Sequence, residues 1–374
     1  MQTSENNQSR LFYIDNLRIF LISLVVLLHL NITYGAPGNW YYNESKAGFP
    51  EIIPMAMFNA TNQAFFMGMF FFISAFFIVP SLQRKGILKF GKDRLIRLGI
   101  PLLLFYFILN PLTIFIHNRL INFEDPTFVD YLANGWARGF GPMWFVEALI
   151  IFTAGYLLIN SFKFRIAIKF PTNKIILLAA FLTGLFQYII RIWLPVGWSM
   201  PFTNFQLPHF IQYILLFVFG IIAYQNKWME SVTFKLGKLW FIFAQILIFI
   251  GFPLLFIFGG AGNGNLDAFL GGIHWQSLGY AIWEQLTGFS LIIGLFGISK
   301  QYFNRQRLIA KKLSESAYGV FVFHAPIIVG ISAVFRNWEI FPPLKFIILA
   351  PVALIVSFGI AWLVKKMPVL KNIF

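Results

Sequence analysis

The stretch from Asp15 to His29, DNLRIFLISLVVLLH, places a carboxylate, a guanidinium and an imidazole inside a run that is otherwise lipid-soluble. Arg18 and His29 are eleven positions apart. In a helix that is close to three whole turns, so both point the same way, about 16 Å apart along the axis. Asp15 stands three residues before Arg18 and can pair with it on the same face. Ionisable side chains are costly within a membrane helix and so mark chemistry by default. For an imidazole that chemistry is proton transfer. The ordinary alternative is an arginine that reaches the headgroups and a histidine that satisfies a neighbouring helix.

Other residues could join it. MWFVEALI at 143–150 sets Trp144 and Glu147 three residues apart on one face, and a second acid, Glu284, lies in a later apolar run. A carboxylate beside an imidazole fixes its tautomer and raises its basicity. The competing reading is that Glu147 and Glu284 cap polar loops or pair with Arg191 or Arg138. His324, in SESAYGVFVFHAP, is followed by Pro326. Proline removes a backbone hydrogen bond, so an irregular helix is expected there. His324 then either contacts a substrate or bonds a freed carbonyl. Arg94 and Arg97 form an RxxR pair beside Lys89 and Lys92, which suits phosphate groups. Ordinary basic charge at a membrane face is the alternative.

Membrane helices must position these groups. The chain has 374 residues, 58% hydrophobic and 11% charged, against about 25% charged in soluble proteins. Apolar runs long enough to span a bilayer fall near 12–33, 64–81, 98–117, 142–162, 174–194, 209–225, 239–258, 279–299, 317–335 and 345–366. The fold expected is all-α, a polytopic bundle of about ten helices forming one domain over 1–374. No cysteine is present, which excludes disulfides, a thiolate nucleophile and Cys-ligated metal. No metal site or bound cofactor is expected. The first run is long, carries polar residues and lacks a small-residue cleavage site, so no cleavable signal peptide is expected.

The net charge of +15 reads as topology rather than nucleic-acid binding. Of the 29 basic residues, 23 fall on one side, in alternate segments around 80–97, 163–174, 226–238 and 300–312 with Arg10, Arg18, Lys365, Lys366 and Lys371. The positive-inside rule then puts both termini in the cytoplasm. The opposite segments, 34–63, 118–141, 195–208 and 259–278, are richer in aromatic and turn residues. Their aromatic rings suit a carbohydrate surface, though an interfacial belt explains most of them individually. On this topology His29, Glu147 and Glu284 share the outer part of the bilayer, and Arg18 its inner part.

Taken in order, several motifs resemble the acyltransferase type 3 family. These are Arg18 with His29, FFFISAFFI at 70–78, RxxR at Arg94 and Arg97 with Pro101 shortly after, MWFVEALI at 143–150 and SESAYGVFVFHAP at 314–326. The resemblance covers nearly the whole chain, and the nearest flavour is the periplasmic-glucan succinyl transferase type. It implies a bacterial inner-membrane enzyme that O-acylates envelope glycans. His29 would be the catalytic residue, Arg18 its partner, and Arg94 and Arg97 the residues handling acyl-coenzyme A. Two departures stand out. Ala75 replaces a glycine common in the family, and no fused esterase-like domain follows, so this chain suffices alone or a partner protein finishes the transfer.

The resulting expectation is transfer of an acetyl or succinyl group from cytoplasmic acyl-coenzyme A to a glycan hydroxyl on the far side. His29, Arg18 and Glu147 would be catalytic. Asp15, Arg94, Arg97, Trp144, His324 and Glu284 would contact substrates. His29, assisted by Glu147, would act as base, and Arg18 or a helix donor would hold the oxyanion. Direct transfer and an acyl-histidine relay both remain open. A transporter or flippase for a glycan or small solute would also use intramembrane Arg, His and Glu, but needs no RxxR. A scaffold protein would use them only for packing.

Overall fold

The computed structural model describes residues 11–45, 47–48, 50–124, 127–134, 139–160, 167–264, 266–368, 370 and 373. Arg10, Lys46, Arg138, Lys163, Arg165 and Lys371, counted among the basic residues that set the expected topology, lie outside them. Ten helices are long and apolar enough to cross a bilayer: α1 Phe12–Thr33, α2 Ile52–Lys85, α3 Ile87–Leu120, α4 Gly141–Asn160, α5 Asn173–Arg191, α6 Leu207–Gln225, α7 Phe234–Phe258, α8 Trp275–Tyr302, α9 Leu308–Val334 and α10 Pro342–Lys365. Among the described residues there is no strand. The chain is a multi-pass membrane protein, and each of the ten expected runs contains a helix.

The central helices are α1, α2, α8 and α9. Of their most apolar stretches, α2, α8 and α9 bury 72%, whereas α7 and α10 bury 17% and 22%. The peripheral pair therefore turns most of its apolar surface to lipid, which replaces a core as its solvent. Helix ends meet in two sets. At one end, Asn16 donates to the Phe303 and Arg305 carbonyls, and Lys300 to that of Met229. At the other, Tyr34 meets Ser332, Lys345 pairs with Glu44, and Arg336 donates to the Leu120 carbonyl. These are called the basic end and the far end below.

Two boundaries differ most from the sequence expectation. The second helix begins at Ile52, twelve residues early, because polar side chains in its first turns find buried partners. Asn59 accepts from Asn31 at 2.8 Å, and Gln63 donates to the Tyr213 hydroxyl at 2.9 Å. The basic segment 80–97 is not a loop. The α2 helix runs to Lys85, Gly86 turns the chain with φ +73°, and α3 starts at Ile87. Arg94 and Arg97 are thus helical residues.

Small residues bring helix backbones together, as lipid-solvated helices require. A Cβ on Gly237 of α7 would lie 2.7 Å from the Gly297 Cα of α8, and one on Gly184 of α5 would lie 2.9 Å from the Ile282 Cα. Ala75, where the family resemblance leads one to expect glycine, faces Gly220 of α6, whose added Cβ would stand 2.8 Å from the Ala75 methyl. The close approach of α2 to α6 is therefore made from the α6 side. Gly297→Val should cost more than the about 1–3 kcal/mol of ordinary overpacking, because backbone cannot yield as a side chain does. Gly330→Ala, which meets nothing within 4 Å, should leave stability unchanged or slightly improved. Thermal melts in one detergent compare the two. Equal melting temperatures for both variants would contradict the close crossing of α7 and α8.

Candidate active site

His29 lies four residues from the far end of α1, and its Nδ1 is 2.9 Å from the Val25 carbonyl. A carbonyl cannot donate, so Nδ1 carries the proton and, in the neutral ring, Nε2 carries the lone pair. From sequence, Glu147 is the residue expected to fix that tautomer. Instead the helix's own carbonyl does so, and among the described residues Glu147 makes no ion pair with His29. Glu147 is half-buried on α4, with Oε2 buried and unpartnered.

His324 adjoins His29, their ring centres 5.0 Å apart. Its Nδ1 lies 2.7 Å from the Phe321 carbonyl, so it too presents Nε2 as acceptor, and that atom is buried without a partner. Two expectations are corrected here. The α9 helix continues unbroken through Pro326. The carbonyl freed by Pro326 is that of Val322, four residues back, yet the histidine bonds the one before it.

The third ring comes from the loop between α1 and α2. Trp40 stacks on His29 with centres 3.9 Å apart and planes at 28°, and its centre is 5.8 Å from that of His324. Sequence reasoning missed Trp40 as an individual residue, because an interfacial belt accounts for a tryptophan in such a loop. The loop is pinned at several points. The Tyr41 hydroxyl donates to Asn110 Oδ1 at 2.6 Å, Asn59 donates to the Pro37 carbonyl at 3.1 Å, and the Glu44 N–H to that of Thr33 at 2.8 Å. Glu44 pairs with the buried Lys345. Its own pKa is raised, chiefly by burial and in spite of that lysine.

A second cluster forms at the basic end. Arg94 is within electrostatic reach of both Arg97 and Arg18, and Tyr318 of α9 is within reach of Arg94 and Arg97. Arg18 keeps Asp15 at 3.5 Å and lies over the Phe77 ring. Among the described residues neither Arg94 nor Arg97 is ion-paired. A π-helical turn, Leu95–Gly99, carries Arg97; such turns recur at functional sites. Pro101 has no N–H to offer the Arg97 carbonyl, and the Tyr318 hydroxyl donates to it at 3.0 Å. Since α1 is continuous, Arg18 stays about 16 Å from His29. It cannot hold an oxyanion formed there, which corrects that part of the expectation.

The remaining candidates lie elsewhere. Trp144 is buried, stacked on Tyr213 with centres 5.5 Å apart, and offers no open face to a sugar. Its neighbour Phe145 packs on Phe321, next to His324. Glu284 is fully buried but engaged by Arg191 at 2.7 Å and by His209 Nδ1 at 2.9 Å. The pairing with Arg191 that the sequence left as an alternative is the one formed. His209, at the start of α6, carried no signal in sequence beyond its type.

A sequence profile described as an acyltransferase domain matches residues 11–363. Among characterised relatives, "Glucans biosynthesis protein C" of Salmonella schwarzengrund is 26% identical over 230 residues, 58% of each chain. The protein of the same name from Escherichia coli K12 is 29% identical over 94 residues, 25% of this chain and 23% of its own. The matched stretch thus spans little more than half the length of these relatives at most. No solved structure matches the chain.

Proposed function

Because the chain belongs to the acyltransferase type 3 family, we propose that it is a membrane O-acyltransferase. It moves an acetyl or succinyl group from cytoplasmic acyl-coenzyme A to a hydroxyl of an extracytoplasmic glycan, in a bacterial inner membrane with both termini inside. The observation that carries the reading is the layout of α1. Near one end its Arg18 is joined by Arg94 and Arg97 of α3, and about 16 Å away along the helix stands an imidazole with a free lone pair. An extended pantetheine arm spans a comparable distance. The phosphates of the donor would sit at Arg18, Arg94 and Arg97, which accept bidentate oxyanions. Asp15 limits the spread of Arg18.

At the far end His29 Nε2 takes the proton of the attacking hydroxyl. His324 Nε2, buried and acceptor-only, receives a hydrogen bond from a second hydroxyl of the acceptor. The name of the Salmonella relative supports a glucan as that acceptor. The transporter reading gains no specific observation, whereas clustered cationic residues beside an RxxR helix favour the acyl-donor reading.

The test is a thermal shift on detergent-purified protein with free, acetyl- and succinyl-coenzyme A. A ligand that binds only the folded state at a hundred times its Kd stabilises by about 2.7 kcal/mol. One acyl form should raise the melting temperature, and Arg94→Ala/Arg97→Ala should abolish the rise. Absence of any shift at millimolar ligand, or an undiminished shift in the double variant, would remove the arginines from the donor site.

A further inference from the structure

Trp40, which stacks on His29, carries a polar atom to which no task has been assigned. Its indole Nε1 is buried and has no hydrogen-bond partner. An indole N–H can only donate, and a buried donor left alone costs about 1–3 kcal/mol. Tryptophans buried in proteins usually find a partner for this group. This one is held in place by a loop fixed to α1, α2, α3 and α10 through Thr33, Asn59, Asn110 and Lys345. The loop therefore keeps the indole stacked on the imidazole with its N–H buried rather than turned to water.

We propose that the Trp40 N–H is the oxyanion donor of the transfer reaction. The inference rests on the acyltransferase reading and completes it, since Arg18 is too distant for the task. The ring stacks on His29 at 3.9 Å and neighbours His324 at 5.8 Å. The three rings thus form one packed cluster, which holds an unpartnered N–H donor beside His29 and the unpartnered Nε2 acceptor of His324. A base and an oxyanion donor must flank one reacting carbon in this manner. The hydroxyl oxygen attacks the thioester carbon as His29 Nε2 takes its proton, and the carbonyl π pair moves to oxygen, where the indole N–H donates to it. On collapse the C–O bond stays, the C–S bond breaks, and the leaving thiolate takes the proton from His29. The products are the ester and coenzyme A.

Trp40→Phe keeps an aromatic ring on His29 and removes the donor. Benzothienylalanine at position 40 keeps the full bicyclic shape and replaces N–H by sulfur. The readout is thiol release from acetyl- and succinyl-coenzyme A with a gluco-oligosaccharide as acceptor. Both variants should lose about 10²–10³ in kcat, the usual cost of one oxyanion donor. KM for the acyl donor should stay at the wild-type value, and the melting temperature should not fall, since a buried unpartnered donor is removed. A packing role would instead be restored by the isosteric residue, so wild-type kcat with benzothienylalanine overturns the inference. Should wild-type protein release no thiol, the acyltransferase reading itself fails and takes this inference with it.

Discussion

His29→Asn should lower kcat by about 10²–10⁴, the range over which general base catalysis contributes, while the protein still folds and binds acyl-coenzyme A. The choice of asparagine follows from the geometry. Its amide N–H₂ overlays the imidazole Nδ1 and can keep the bond to the Val25 carbonyl, now 2.9 Å long. Only the Nε2 lone pair disappears. The donor cluster of Arg18, Arg94 and Arg97 lies about three helical turns away, so a thermal shift by the acyl donor should persist. Thiol release at saturating donor measures the effect. Activity within threefold of wild type would show that the base lies elsewhere, with His324 the next group to remove. Loss of both activity and the thermal shift would mean that the two ends of α1 are not separable.

The sequence made the helices legible and the site only partly so. Crossing lipid demands about 20 apolar residues in a row, and that demand is local, so all ten runs could be read one at a time. What escaped depended on distant partners. The first turns of α2 contain Asn59, Asn62 and Gln63, which look like loop until Asn31 and Tyr213 supply hydrogen bonds. RxxR reads correctly as helical, at the entry of the third helix, but the basic run before it reads as a loop because nothing in the charge pattern shows that one residue, Gly86, suffices to turn the chain.

For the site itself, the helix period told where His29 and Arg18 point relative to each other, but not what faces them. Trp40 reaches His29 because Tyr41 bonds a residue 69 positions on, and Glu44 one 301 positions on. No periodicity carries such information. The role of Glu147 was misjudged for a related reason. A carboxylate was sought as the tautomer-fixing partner, when the carbonyl of Val25, one turn back on the same helix, was already in reach. Backbone groups do not stand out in a sequence, yet in lipid they are the most abundant acceptors.

The largest stability effect should come from the buried group on α5, α6 and α8. Glu284 is fully buried between Arg191 and His209, and Arg191 is buried as completely. Glu284→Leu leaves a guanidinium uncompensated in the bundle, and Arg191→Met leaves a carboxylate with only a histidine. Removing one member of a buried pair typically costs about 3–5 kcal/mol, whereas replacing both by apolar groups of similar size is often neutral or stabilising. Arg191→Met/Glu284→Leu should therefore melt above either single variant, and a double-mutant cycle should return a large favourable coupling. The same double variant decides the place of Glu284 in the chemistry. A carboxylate that contacts substrate would not be spared by removing its arginine, so activity would stay lost in the double. A carboxylate whose task is to neutralise Arg191 can be dispensed with once Arg191 is gone. The double variant should then release thiol at close to the wild-type rate, and strictly additive stability losses together with a dead double variant would return Glu284 to the substrate site.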